Sequence, residues 1–213
     1  VMISTPDHWH IAIALAAIRA GKDVCCEKPL GLSMAQGRIL ADAAAKAKCV
    51  FRTDSEFRSI PHLFRAVGLV RTGKIGQLKT IRISVPIYWE SLPAQPDAPV
   101  PDDLDYPMWL GPAPLTPYNE MRVHAPREYG RPYWYSNRDY CDGMICNWGY
   151  HPADIAQWGN DSELTGPVEI EGEGELPPAD YQWNVLLSFK VRYRYANGVE
   201  MFYEGRKDFA DGQ

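Results

Sequence analysis

The first 54 residues constrain the fold most, because strand and helix signals alternate there with only short connections between them. Val1-Met2-Ile3 reads as a short strand. Ile11, Ala14, Leu15 and Ile18 then recur at helical spacing behind Asp7, a residue able to cap a helix. Gly21 stands where a helix end favours a positive φ. Asp23 to Cys26 predicts the next strand. Ser33 and Gln36 make an S-x-x-Q capping box that opens an Ala-rich helix to about Ala47, and Val50-Phe51 begins a third strand. A β-α-β-α-β order of this kind dictates a parallel sheet with helices on its faces.

Beyond residue 54 the pattern changes. Pro61 opens a helix to about Thr72, and residues 73–76 turn the chain. From Lys79, the apolar Ile81, Ile83, Val85 and Ile87 alternate with Thr80, Arg82 and Ser84, as in a half-buried strand. Residues 90–135 are rich in Pro, Tyr and Trp and have no period; so long an irregular stretch is more often functional or interfacial than idle. Residues 142–158 are expected to be helical. Trp183, Val185, Leu187, Phe189, Val191, Tyr193 and Tyr195 keep a period of two, and Asn197-Gly198 predicts a hairpin into Val199, Met201 and Tyr203. The expected organisation is an α/β segment over 1–54, followed by an α+β domain over 55–213 whose sheet is mostly antiparallel.

Composition excludes several classes of partner. A net charge of −5 does not suit a nucleic-acid surface, and no apolar run approaches the ~20 residues that span a bilayer. Five cysteines without a C-x-x-C pair read as reduced thiols that fill space as small apolar residues. The chain opens inside an apolar strand and stops just after the hairpin, so it is expected to be a piece of a longer protein. Localisation is left open on that reading: cytoplasmic by default, with export through a preceding leader as the alternative.

In an open parallel sheet, ligands bind beyond the carboxyl ends of the strands. Two such ends, Ser4-Thr5-Pro6 and Glu27-Lys28-Pro29, fall on one edge of the sheet, one βα unit apart. A partly desolvated lysine there loses its proton more easily and can exchange it with a substrate hydroxyl. The plainer reading makes Glu27 and Lys28 solvated charges that end a strand. Further along, Asn147 and His151 lie four apart on the expected helix and share a face, with Asp154 close by. An imidazole in polar surroundings holds or shuttles a proton near neutral pH; alternatively, it only makes hydrogen bonds within a domain interface. His8 with His10, and His151 with Asp154, have ligand-like spacing, but no Cys or Glu completes a set, and no metal is expected.

The run STPDHWHIAIALAAIRAGKDVCCEKPL resembles the second half of the nucleotide-binding domain of the Gfo/Idh/MocA oxidoreductases. Its T-P-x-x-x-H segment, A-G-K turn and E-K-P match that family in order and spacing. RTGKIGQLKTI, WLGPAPLTPYN, DGMICNWGYHPADIAQWG and YANGV resemble one bacterial branch, many of whose members are exported. The resemblance implies a partial Rossmann domain over 1–54 and a substrate and oligomerisation domain over 55–213. It implies an NAD- or NADP-dependent enzyme acting on a sugar, polyol or related cyclic alcohol. Lys28 would assist proton transfer, with Thr5, Pro6, His10 and Glu27 along the cofactor. Arg58 of the E-F-R segment would face substrate together with Asp154, and His151 with Asn147 would match the family's D-x-x-x-H pair. Trp109, Tyr118, Tyr133, Trp134 and Tyr135 would stack on sugar rings or pack in an interface, and a homo-oligomer would form through the second-domain sheet.

Two departures accompany the resemblance. Asparagine at 147 replaces the aspartate of D-x-x-x-H, which orients His151 without stabilising its charged form. The first strand, the G-x-G-x-x-G turn and the acidic residue that holds the ribose are not in these residues, so the chain by itself is not expected to bind the dinucleotide tightly. The resemblance also admits an enzyme that cleaves a glycosidic bond through transient oxidation, and the two departures suit a non-catalytic sugar-binding relative.

Overall fold

Parallel pairing opens the chain, as the alternating pattern requires. The computed structural model describes residues 1–87, 91–124 and 132–207. In chain order its elements are β1 (Met2–Ile3), α1 (His10–Arg19), β2 (Val24–Cys26), α2 (Met34–Ala47), β3 (Phe51–Thr53), α3 (Pro61–Arg71), β4 (Thr80–Pro86), β5 (Leu92–Pro93), α4 (Tyr106–Leu110), α5 (Glu120–Val123), α6 (Tyr150–Gly159), β6 (Pro167–Glu175), β7 (Tyr181–Trp183), β8 (Ser188–Tyr195) and β9 (Glu200–Arg206). Single 3-10 turns cover Asp7–Trp9, Glu56–Ser59, Tyr133–Ser136 and Gly143–Ile145. The described residues fall into two units, one within 1–54, 91–143 and 178–185, the other within 55–90, 144–177 and 186–213.

The first unit holds a three-stranded parallel sheet in the order β1-β2-β3, with Ile3 opposite Cys26 and Cys26 opposite Thr53. Ile3, Ile11, Ala14, Ile18, Val24, Cys26 and Leu40 form its apolar core, which α1 and α2 cover. Fully burying an aliphatic side chain of this size stabilises by about 1.5–3 kcal/mol. Gly21 takes φ +69 after α1, the left-handed conformation expected of it. The long irregular stretch builds a second core in the same unit, where Tyr106, Leu110, Tyr118, Val123, Trp134, Tyr140 and Cys141 are buried together. Glu90 and residues 125–131 of that stretch lie outside the described residues.

The second unit is built on a four-stranded sheet in the order β4-β9-β8-β6. β9 pairs in parallel with β4 and antiparallel with β8, and β8 pairs antiparallel with β6. The period-two residues Ile83, Val85, Phe189, Met201 and Tyr203 turn inward and pack with Met144 and with Ala156 of α6. The fold is therefore α/β, a Rossmann-like parallel sheet joined to a mixed, mostly antiparallel one.

Four local expectations are corrected. Asp7 does not cap: the 3-10 turn is preceded by Pro6, with no side-chain cap hydrogen bond. Ser33 occupies the N-cap of α2 in extended conformation, but its hydroxyl makes no cap bond. The helix expected over 142–158 begins only at Tyr150, so Asn147 sits in the turns before α6 rather than on it. The strand expected from Trp183 to Tyr195 breaks after Trp183. There the Asn184 amide N–H donates to the Ser136 carbonyl, and its side-chain oxygen accepts from the Arg138 amide N–H.

Candidate functional site

Parallel register brings the two strand ends together. The Glu27 amide donates to the Ile3 carbonyl and the Asp54 amide to the Cys26 carbonyl, so the chain leaves β1 and β2 side by side. A cavity of about 330 Å³ opens at this edge, bordered by Ser4, Thr5, Pro6, Asp7, His10, Glu27 and Lys28, with Trp134 and Tyr135 as an aromatic wall. Glu27 and Lys28 are half-buried at its rim. The Lys28 amide donates to Glu27 Oε2 at 3.2 Å, and the Lys28–Pro29 bond is cis.

His10 is only 1% exposed and ties the two strand-end loops together. Its Nδ1 lies 2.7 Å from the Pro29 carbonyl oxygen and its Nε2 2.9 Å from the Thr5 carbonyl oxygen. A neutral imidazole donates to one of these carbonyls at a time, a protonated one to both. On the next residues back, His8 Nε2 bonds the Trp109 carbonyl at 3.0 Å, and Trp9 Nε1 donates to the Met108 and Trp109 carbonyls at 3.1 Å. These bonds fasten the start of α1 to the end of α4.

Asp7 is the ionisable group beneath the cavity that sequence reasoning passed over. It is 3% exposed. Burial pushes its carboxyl up to about 7, against the lowering effect of a Cys141 thiol hydrogen bond and of the Lys28 charge. Thr5 Oγ1 and Asp7 Oδ2 are both buried and without a hydrogen-bond partner among the described residues. Cys141 is fully buried, and burial pushes the Cys26 thiol up to about 12, so neither cysteine is placed as a nucleophile. The only hint of Asp7 in the sequence was its place four residues past the end of β1.

In the second unit, α6 presents His151, 6% exposed, with the Phe57 ring stacked on it at a centroid separation of 4.3 Å. The Glu56 carboxylate lies 3.8 Å from His151 Nε2, a contact that becomes an ion pair when the ring is protonated. Asn147 is buried in the turns that precede α6. Gly149, between the two, sits where an added Cβ would lie 1.6 Å from the Tyr203 hydroxyl oxygen and 2.2 Å from the Ile145 carbonyl oxygen. That hydroxyl donates to the Ile145 carbonyl at 2.8 Å and seats the turn on β9.

Arg58 and Asp154 meet each other. Arg58 Nε and Nη2 donate in parallel to the two Asp154 oxygens at 2.7 Å each, and Nη1 donates to Glu163 at 2.6 Å. The guanidinium also stacks over the Trp158 ring, and Arg71 extends the network to Asp161 and Glu163. The Asp154 and Glu163 hydrogen bonds raise the Arg58 pKa above the ordinary arginine range.

Of the five aromatics singled out, Trp134 and Tyr135 border the cavity. Trp109 packs against Tyr140, Tyr118 against Tyr106, and Tyr133 against Trp183. No group of three or more metal-ligating side chains occurs among the described residues, and no described helix is long and apolar enough to cross a membrane.

Comparison with known proteins matches both halves of the chain. Residues 1–55 match the Gfo/Idh/MocA oxidoreductase family, NAD-binding Rossmann fold, and residues 71–212 match its C-terminal alpha/beta domain. Levoglucosan dehydrogenase of Pseudarthrobacter phenanthrenivorans is 32% identical over 100 residues, 47% of this chain and 25% of that protein. Inositol 2-dehydrogenase 1 of Saccharopolyspora erythraea is 36% identical over 77 residues, 36% of this chain and 23% of that protein. A solved levoglucosan dehydrogenase in complex with NADH and levoglucosan shares the fold at a TM-score of 0.67 and 20% identity, covering 98% of this chain and 47% of that one. The chain thus spans about half the length of such solved relatives.

Proposed function

Because the chain belongs to the Gfo/Idh/MocA oxidoreductase family, whose Rossmann fold makes the cofactor a nicotinamide dinucleotide, we propose that it serves an NAD(P)-dependent oxidoreductase acting on a sugar, polyol or related cyclic alcohol. The observation that carries this reading is Lys28, half-buried on a cavity at the carboxyl edge of the parallel sheet, beside Glu27 and Thr5. Similarity to a levoglucosan dehydrogenase and an inositol 2-dehydrogenase supports the substrate class.

The residues present fit the nicotinamide end of such a cofactor. Thr5 Oγ1 supplies a buried polar atom without a hydrogen-bond partner among the described residues, Pro6 an apolar edge and Glu27 an acceptor, while His10 holds the loops that carry them. When bound, the nicotinamide supplies the hydride chemistry. Lys28 takes the hydroxyl proton during oxidation and returns it during reduction, and the Trp134 and Tyr135 rings give one face of a sugar ring a surface to stack on.

His151 is the second proton-handling group on this reading, its ring stacked on Phe57 and met edge-on by Trp148, which follows Asn147. Arg58 and Asp154 hold α6 through their paired hydrogen bonds and so set the attitude of His151, beside the substrate contact expected of them. The outer face of the four-stranded sheet, where Arg192 bridges Glu171 and Glu200, is the surface for a homo-oligomer.

The test is turnover by the full-length protein carrying this chain, with NAD and NADP, over a panel of sugars and polyols. Stoichiometric reduced cofactor is expected, and Lys28→Ala should lower kcat about 10²–10⁴-fold. Full activity in Lys28→Ala overturns the role given to Lys28. Product without net reduced cofactor would replace oxidation by cleavage through a transient oxidation.

A further inference from the structure

The Asp7 carboxyl has no role in the reading above, yet it lies under the same cavity as Lys28. It is buried, one of its oxygens has no hydrogen-bond partner among the described residues, and the Cys141 thiol donates to the carboxyl. An unsatisfied buried carboxylate oxygen costs about 1–3 kcal/mol or more, which makes it a feature in need of a purpose.

The surroundings define what that purpose can be. Among the described residues, Lys28 is the cation acting on Asp7. Asp142 opposes it from the segment that also supplies Cys141, while Cys26 faces it from the end of β2. Glu27 and His10 border the same cavity, and buried His8 follows in sequence, its own pKa lowered first by burial. Cys26 stays a neutral thiol, so Lys28 and Asp142 are the charges that bear most directly on Asp7.

We propose that Asp7 is a positioning residue for Lys28: as a carboxylate it stabilises the Lys28 ammonium and accepts a proton from it, and as a carboxylic acid it releases Lys28 to the neutral amine. The proposal rests on the reading of Lys28 as the proton-transfer residue. In oxidation the proton leaves the alcohol oxygen for Lys28 Nζ, and from the ammonium it passes to the Asp7 carboxylate or to water. This proton leg breaks the alcohol O–H bond and forms an N–H and then an O–H bond, while the electron pair of the carbinol C–H bond would leave as hydride to the nicotinamide dinucleotide, the oxidant of the reaction. Coupling between the two groups is reciprocal, so the Lys28 cation that favours ionised Asp7 is itself favoured by it. Burial places the Asp7 transition near neutral pH, where this exchange has consequence.

The experiment uses the full-length protein with Asp7→Asn and Lys28→Met. Asp7 is followed directly, without turnover, by isotope-edited carboxyl infrared or carbon NMR titration. Its midpoint is expected to rise by about one pH unit in Lys28→Met, which lacks the cation. In Asp7→Asn, the limb of the kcat/KM profile that reports deprotonation of Lys28 is expected to move to lower pH by a similar amount. An unmoved Asp7 midpoint in Lys28→Met overturns the proposal, even if Lys28 proves essential. A folded Asp7→Asn protein whose limb stays in place also overturns it and leaves Asp7 a structural partner of Cys141. A moved midpoint with undiminished turnover in Lys28→Met overturns the reading of Lys28 and the catalytic part of the proposal with it.

Discussion

His10 Nδ1 lies 2.7 Å from the carbonyl oxygen of Pro29, and the same ring reaches the Thr5 carbonyl on its other side. The cavity edge is thus braced by an imidazole in the first turn of α1. Replacing His10 by Phe keeps a ring but removes the imidazole N–H shared by the Thr5 and Pro29 carbonyls. The expected loss is about 1–3 kcal/mol of stability, read as a lower urea midpoint at unchanged slope, together with weaker dinucleotide binding.

Asp7 should make stability fall with rising pH. Its folded pKa of about 7 stands above the ordinary carboxylate value of 3.8. The folded state therefore binds the proton more tightly, and the contribution is full below about pH 4 and lost as pH rises through 7. By linkage the change is on the order of 4 kcal/mol at most. Asp7→Asn cannot ionise, so its urea midpoint should be flatter over that window and exceed the parent's at pH 8. Parallel pH profiles for the two proteins would show Asp7 to be ionised and well solvated in the fold.

Arg58→Ala should strand the Asp154 carboxylate, which is 15% exposed in its side chain. Since Arg58 itself is about a third exposed, solvent screening limits the cost to about 1–2 kcal/mol. Arg58→Lys should recover little of it, because an ammonium cannot donate two parallel bonds. If the pair orients His151, kcat falls and KM for substrate hardly changes. A raised KM at constant kcat would return Arg58 to the substrate.

Gly149→Ala should be costly for a steric reason. Its Cβ meets both the Tyr203 hydroxyl and the Ile145 carbonyl oxygen well inside contact distance. About 1–3 kcal/mol of overpacking strain is expected. Adding Tyr203→Phe relieves the hydroxyl clash while the backbone oxygen remains, so the double variant should recover part of the thermal midpoint and not all of it.

Much of this molecule is written in local periodicity. The β-α-β-α-β run and its cavity edge were legible because strand ends in a parallel sheet share an edge wherever the helices lie, which put Thr5, Glu27 and Lys28 together from spacing alone. Asp7 was misread because its burial depends on Cys141, distant in the chain and delivered by an irregular segment with no period to read. The helix before Tyr150 was overrun because the apolar residues there continue, while Gly149 is spent on close approach to Tyr203. β6 escaped notice because Gly172 and Gly174 weaken its intrinsic preference, and its pairing with β8 supplies what propensity lacks.

That same β6 forms one border of its sheet, with Glu169, Glu171, Glu173 and Glu175 at alternate positions, the first three bridged to Arg194, Arg192 and Lys190 of β8. Among the described residues a bordering strand of this kind offers backbone groups to any extended chain that drifts alongside, and charged side chains along it disfavour such edge pairing. The charged row on β6 therefore guards the edge of the sheet, while its outer face stays open to packing.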